Sequence, residues 1–122
     1  MSTPYWTSTV SSIGGDAADM VDAGVVILFG EPVPPALADV SVVHRPDAEP
    51  TRDLAVGDRI VIGDQEVTVQ AVGELASQNL RELGHVVLYT DPGDQKLLPG
   101  AVHVTGSLSM PNPGEHVAIS GA

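Results

Sequence analysis

The chain has 122 residues, and its five Lys plus Arg stand against sixteen Asp plus Glu, for a formal net charge of −11. That balance argues against nucleic acid and anionic membrane as partners, since both are bound through cations; it permits a basic protein partner, because opposite potentials speed encounter, while acidic surfaces more often serve only solubility. With no cysteine, disulfides, thiol catalysis and thiolate zinc sites are excluded.

A single domain over residues 1–122 is expected. A chain this long buries roughly two-thirds of its unfolded surface, enough for a core. Aromatic residues make up only 3%, so that core falls to Val, Leu, Ile and Ala. Thirteen Gly and ten Pro imply many turns, which suits an all-β fold. MSTPYWTSTV lacks the basic region and apolar centre of a signal peptide. The longest apolar run, GVVILFG at 24–30, is too short to span a bilayer. The expectation is a cytoplasmic protein.

In chain order, Tyr5 to Ile13 is rich in Thr, Ser and Val and reads as an edge or surface strand. Gly14-Gly15 ends it, and the small, acidic residues 16–23 read as a loop or one turn. Val25 to Phe29 is a continuous apolar run between glycines, a buried strand. Glu31-Pro32-Val33-Pro34-Pro35 continues no ladder, because proline removes donors and fixes φ. Pro35 can start a helical turn through Asp39. Val40 to His44 is a short strand ending in histidine, followed by an exposed, proline-broken loop at 45–53. Leu54 to Asp58 turns into RIVI at 59–62, and Gly63-Asp64 makes a tight hairpin with the next strand. EVTVQAV at 66–72 gives the clearest alternation in the chain.

The stretch 72–106 is the most informative. Ala76, Leu80 and Leu83 form one apolar helical stripe over about 75–83, a lid between strands. Gly84 follows as a left-handed helix stop. His85 opens the strand HVVLYT. Asp91-Pro92-Gly93-Asp94 and Pro99-Gly100 are turns, with the strand AVHVTG after them. Pro111 to Gly114 turns into a last strand, HVAIS. These runs predict a small closed β barrel of about six to seven strands with one short helix.

Four histidines carry the available chemistry. His44, at a strand end facing a loop, can be reached by a partner, and its neutral ring attacks phosphorus well; an ordinary exposed histidine is the alternative. His103 lies between two valines, so its ring points to the opposite face, where solvent or a polar neighbour can satisfy it. His85 can hydrogen-bond back to the helix end. No pair among His44, His85 and His103 has short ligand spacing, so no metal is expected. No glycine-rich phosphate loop or GxSxG is present. From the residues alone, the chain is a small acidic β domain with histidines.

VVH at 42–44, AVG at 71–73, NLRELGHV at 79–86 and PGAVHVTG at 99–106 carry a resemblance. With them the chain resembles the glucitol/sorbitol-specific IIA component of the bacterial phosphoenolpyruvate-dependent sugar phosphotransferase system. The resemblance implies a phosphocarrier with no cofactor beyond a phosphohistidine intermediate. It would accept the phosphoryl group from HPr on His44 and pass it to a IIB domain, which phosphorylates a hexitol imported by the membrane domain IIC. The run after the acceptor departs from the family pattern: Pro46 stands where a second histidine is often found. Arg45 is then a candidate cation for the phosphoryl group, with His85 or His103 as supporting rings. Two other readings compete. One is a binding or regulatory module that kept the barrel and lost transfer; the other is a barrel that self-associates through an exposed strand.

Overall fold

In the computed structural model, residues 3–90 and 92–121 are described. Eight strands run in the order β1 (Pro4–Ile13), β2 (Val25–Gly30), β3 (Val42–Pro46), β4 (Arg59–Ile62), β5 (Gln65–Val72), β6 (Val86–Tyr89), β7 (Ala101–Thr105) and β8 (His116–Ser120). Three short helices separate them: α1 (Ala17–Asp22), α2 (Pro35–Ala38) and α3 (Ala76–Leu83). The strands close into a barrel ordered β1-β3-β2-β6-β7-β5-β4-β8, with β8 pairing back onto β1. All pairs are antiparallel except β2–β3 and β6–β7.

The all-β barrel expectation holds, with eight strands in place of six to seven, because even the four-residue β4 is paired on both sides. Closure also removes the exposed strand that self-association needs: every barrel strand has two neighbours. It changes the reading of β1 as well. This strand bonds to both β3 and β8, and its alternate residues Trp6, Ser8 and Val10 are buried. The core is aliphatic, with Leu28, Ile60, Ile62, Leu88 and Ile119 fully enclosed.

Two further boundaries differ from expectation. Residues 17–22 form α1, a little more than the loop or single turn expected; burial of Ala17 and Val21 at i and i+4 holds a segment too short to be helical by itself. β3 does not stop at His44. Arg45 and Pro46 continue it, paired with Thr9 and Ser8 of β1 alone, an edge position of the kind where proline is tolerated. The expected turn at 91–94 begins at Asp91, which lies outside the described residues.

α3 closes one end of the barrel, where β2, β3 and β5 finish. Its Ala76 and Leu80 sit in the core, while Leu83 is 49% exposed, so the predicted stripe is two residues wide. The helix is tied to the loop below it by the Ser77 hydroxyl, which accepts from the Leu54 N–H at 2.9 Å, and by an Arg81–Asp53 ion pair. Gly84 ends it at φ 63°, the left-handed stop expected from sequence.

Candidate functional site

Strand alternation decides where each histidine points. On β3, Val42 and His44 face inward and Arg45 faces outward. The His44 ring is fully buried, at 0% exposure, which corrects the expectation of a ring open to a loop: the strand runs on past it, and α3 covers the barrel end above it. The ring is held at both nitrogens. Ser8 Oγ lies 2.6 Å from Nδ1, and the Gly84 carbonyl lies 2.6 Å from Nε2. Trp6 meets it edge-on, with ring centroids 5.5 Å apart.

Two glycines make this enclosure possible. A Cβ on Gly30 would come 2.7 Å from the Leu83 carbonyl oxygen, and one on Gly84 would come 2.9 Å from Gly30 Cα and 3.2 Å from His44 Cε1. Only bare backbone lets the helix end lie directly on the ring. Burial holds the imidazole below its ordinary pKa, against the opposing pull of the Gly84 hydrogen bond and the Glu31 charge. The ring is therefore neutral at pH 7, the form in which a nitrogen keeps a lone pair.

Outside the Gly84 contact lies a cleft of about 290 Å³. Trp6, Gly30, Glu31, Pro46, Arg81 and Gly84 are among its walls, so three of the groups packed around His44 form its floor. The indole Nε1–H of Trp6 is buried with no hydrogen-bond partner among the described residues. Arg81 also lines the cleft, with its guanidinium paired to Asp53.

The other expected site residues are placed differently. Arg45 points out, exposed, and pairs with Glu31 at 3.3 Å; it makes no hydrogen bond to the ring. His85 stacks its ring on Phe29, with centroids 4.5 Å apart. Its bond back to the helix is made by the backbone N–H, to the Asn79 carbonyl at 3.2 Å. Burial lowers its pKa. His103 lies on the outer side of β7, 8% exposed against the edge of Tyr89. It faces away from the barrel interior that holds His44. Among the described residues, no group of three His, Cys, Asp or Glu side chains is placed to hold a metal ion.

Ser8, Trp6, Gly30 and Arg81 were missed from sequence. Ser8 and Trp6 carried a signal in the alternation of β1, which puts both on the face of Val10. Gly30 and Arg81 had none, since only the folded chain brings β2 and α3 together.

Residues 5–119 match the family model described as the phosphotransferase system (PTS) glucitol/sorbitol-specific IIA component. Two relatives, from Shigella flexneri and Escherichia coli, each bear the name PTS system glucitol/sorbitol-specific EIIA component. Each is 36% identical over 104 residues, covering 85% of this chain and 84% of the relative. The crystal structure of a PTS system IIA component from Enterococcus faecalis is similar with a TM-score of 0.80 and 27% identity, covering 91% of this chain and 96% of that one. No helix among the described residues is long and apolar enough to cross a membrane.

Proposed function

This chain belongs to the glucitol/sorbitol-specific IIA component family of the phosphotransferase system, and from that premise we propose that it is a phosphocarrier whose acceptor is His44. It takes a phosphoryl group from the phosphohistidine of HPr and hands it to a IIB domain, in the cytoplasm, for uptake and phosphorylation of glucitol or a related polyol. The observation that carries the assignment is the position of the ring. His44 is neutral, oriented at both nitrogens, and separated from the 290 Å³ cleft by the Gly84 backbone and Trp6.

Phosphoryl transfer asks the protein for in-line positioning and for charge stabilisation at the equatorial oxygens. The Trp6 N–H and the Arg81 guanidinium at the cleft are suited to that work. Access requires the end of α3 to withdraw. The segment is short, and its outer face, with Leu83, is free of the core. Segments that bury few apolar side chains are the ones that open locally, and here that is the last turn of α3 beyond Leu80, since Ala76 and Leu80 stay in the core. A partner that binds only the opened form pulls that population up.

A second reading is favoured by one observation, the complete burial of the ring: a regulatory or binding module on the same barrel that no longer transfers phosphate. One experiment separates them. The protein is incubated with phosphoenolpyruvate, the first enzyme of the system and HPr, and its mass is measured. The phosphocarrier gains one acid-labile phosphoryl group, and the His44→Ala variant gains none. No gain in the wild type selects the module, and a gain that survives His44→Ala moves the site elsewhere.

A further inference from the structure

We propose that His44 is a proton switch set by the α3 cap, with Ser8 as its positioning residue. In the closed form the proton sits on Nε2; when the cap opens, the proton sits on Nδ1 and the Ser8 oxygen accepts a hydrogen bond from it. The inference rests on the reading of His44 as the phosphoryl acceptor.

A backbone carbonyl can only accept. With the Gly84 oxygen 2.6 Å away, Nε2 of the neutral ring must carry the hydrogen. Nδ1 then holds the lone pair, and the Ser8 hydroxyl donates to it across 2.6 Å. The lone pair thus faces the wall of β1, where Ser8 is 0% exposed. A phosphoryl donor comes from the other side. The cleft is walled by Gly84 and not by Ser8, so the nitrogen on the open side is Nε2. In the closed form that nitrogen has no free electron pair. The cap therefore blocks the reaction chemically as well as sterically, so the resting ring takes no phosphoryl group from a small donor that does not open the cap.

Withdrawal of Gly84 removes the acceptor that Nε2–H has among the described residues. The proton passes to water admitted by the opening, and another binds at Nδ1. The Ser8 oxygen can accept a hydrogen bond from that Nδ1–H, because a hydroxyl accepts as well as donates. The freed Nε2 lone pair attacks the phosphorus of the donor phosphohistidine. The donor's N–P bond breaks and its electron pair returns to the donor ring. The new phosphoryl group stands where the Gly84 carbonyl stood, so the cap cannot close again until the group has been passed on.

The test uses the full chain with ¹⁵N-labelled histidine. Ring nitrogen signals of the resting protein are expected to show Nε2 protonated and Nδ1 bare. After phosphorylation by HPr, phosphorus is expected on Nε2 with Nδ1 protonated. Ser8→Ala is expected to keep the resting tautomer, because Gly84 still sets it, and to slow uptake about tenfold or more, the loss of one hydrogen bond to a charged ring. A resting ring protonated at Nδ1, a phosphoryl group on Nδ1, or an unchanged uptake rate in a folded Ser8→Ala variant overturns the switch alone. Should that variant fail to fold, the wild-type tautomers decide. Absence of any uptake overturns the phosphocarrier reading and this inference with it.

Discussion

Gly84→Ala probes the enclosure of His44 where it is tightest. The residue lies at φ 63°, a conformation that costs an L residue roughly 1–2 kcal/mol. The added Cβ would also lie 2.9 Å from Gly30 Cα, 3.1 Å from Gly30 N and 3.2 Å from His44 Cε1. Two of those atoms are backbone, so the contact is relieved only by a shift, at about 1–3 kcal/mol. The sum is ~2–5 kcal/mol. Unfolding entropy of about 2.1 cal/mol/K per residue gives this domain ~4 °C per kcal/mol, hence a fall in Tm of ~8–20 °C if the cap stays in place. If the cap swings out instead, the fall in Tm is smaller and the His44 Nε2 proton loses its hydrogen bond. Gly15→Ala is the internal control: nothing lies within 4 Å of its added Cβ, so it is expected to be neutral or stabilising by about 0.4–1 kcal/mol. Thermal melts of both variants, with the ring nitrogen signals of His44, read both outcomes. A Gly84→Ala protein that melts with the wild type and keeps the Nε2 hydrogen bond would refute the packing argument.

Other predictions follow from the same contacts. Burial lowers the pKa of His44 and of His85 from 6.5, so the unfolded chain binds more protons than the folded one. Their stabilisation is complete above pH 6.5 and is lost as pH falls through the depressed folded values, at up to about 1.4 kcal/mol per pH unit for each group. Tm should drop between pH 7.5 and 5, and His44→Gln should flatten that drop; a flat wild-type profile would contradict the burial. Asp58, 1% exposed, accepts from Tyr5 at 2.6 Å, Arg52 at 2.8 Å and the Ala55 N–H at 2.9 Å. Asp58→Ala removes these three hydrogen bonds, but Arg52 is 43% exposed and still donates to the Asp53 carbonyl, so the expected cost is about 1–3 kcal/mol in denaturant unfolding, whereas a loss under about 0.5 kcal/mol would mean the network is dispensable. Leu83→Ser, on the exposed side of α3, is expected to shift stability by no more than about 0.5 kcal/mol, and a larger loss would place Leu83 in the core.

Much of the barrel was legible because its period-2 runs are bounded by glycine and proline. The 63–64 hairpin, the α3 stop at Gly84 and the strands at 25–30 and 116–120 all come from local pattern, and local pattern decides them in the fold. The candidate site was legible only in part. His44 was a candidate by residue type and place, and the family resemblance made it the expected acceptor; its burial was not foreseen, because reading Pro46 as a strand breaker ended β3 two residues early. Ser8 sits in a run of hydroxyl residues that looks like a solvated edge, and barrel closure turns it inward. The Gly30–Gly84 contact joins residues 54 apart in sequence, and no periodicity encodes such an approach. His103 and Arg45 show the converse limit. Residue type made them candidates, and strand alternation set both on the outer side of the wall.

Amide hydrogen exchange at the α3 stop tests the central claim most directly. In the resting protein the Gly84 N–H bonds to the Leu80 carbonyl at 3.0 Å and the His85 N–H to that of Asn79 at 3.2 Å. In protein phosphorylated at His44, these two amides should exchange about tenfold faster or more, while those of Val26 and Leu28 in β2 stay as they were. Unchanged protection at Gly84 and His85, with the phosphoryl group in place on His44, would contradict the account.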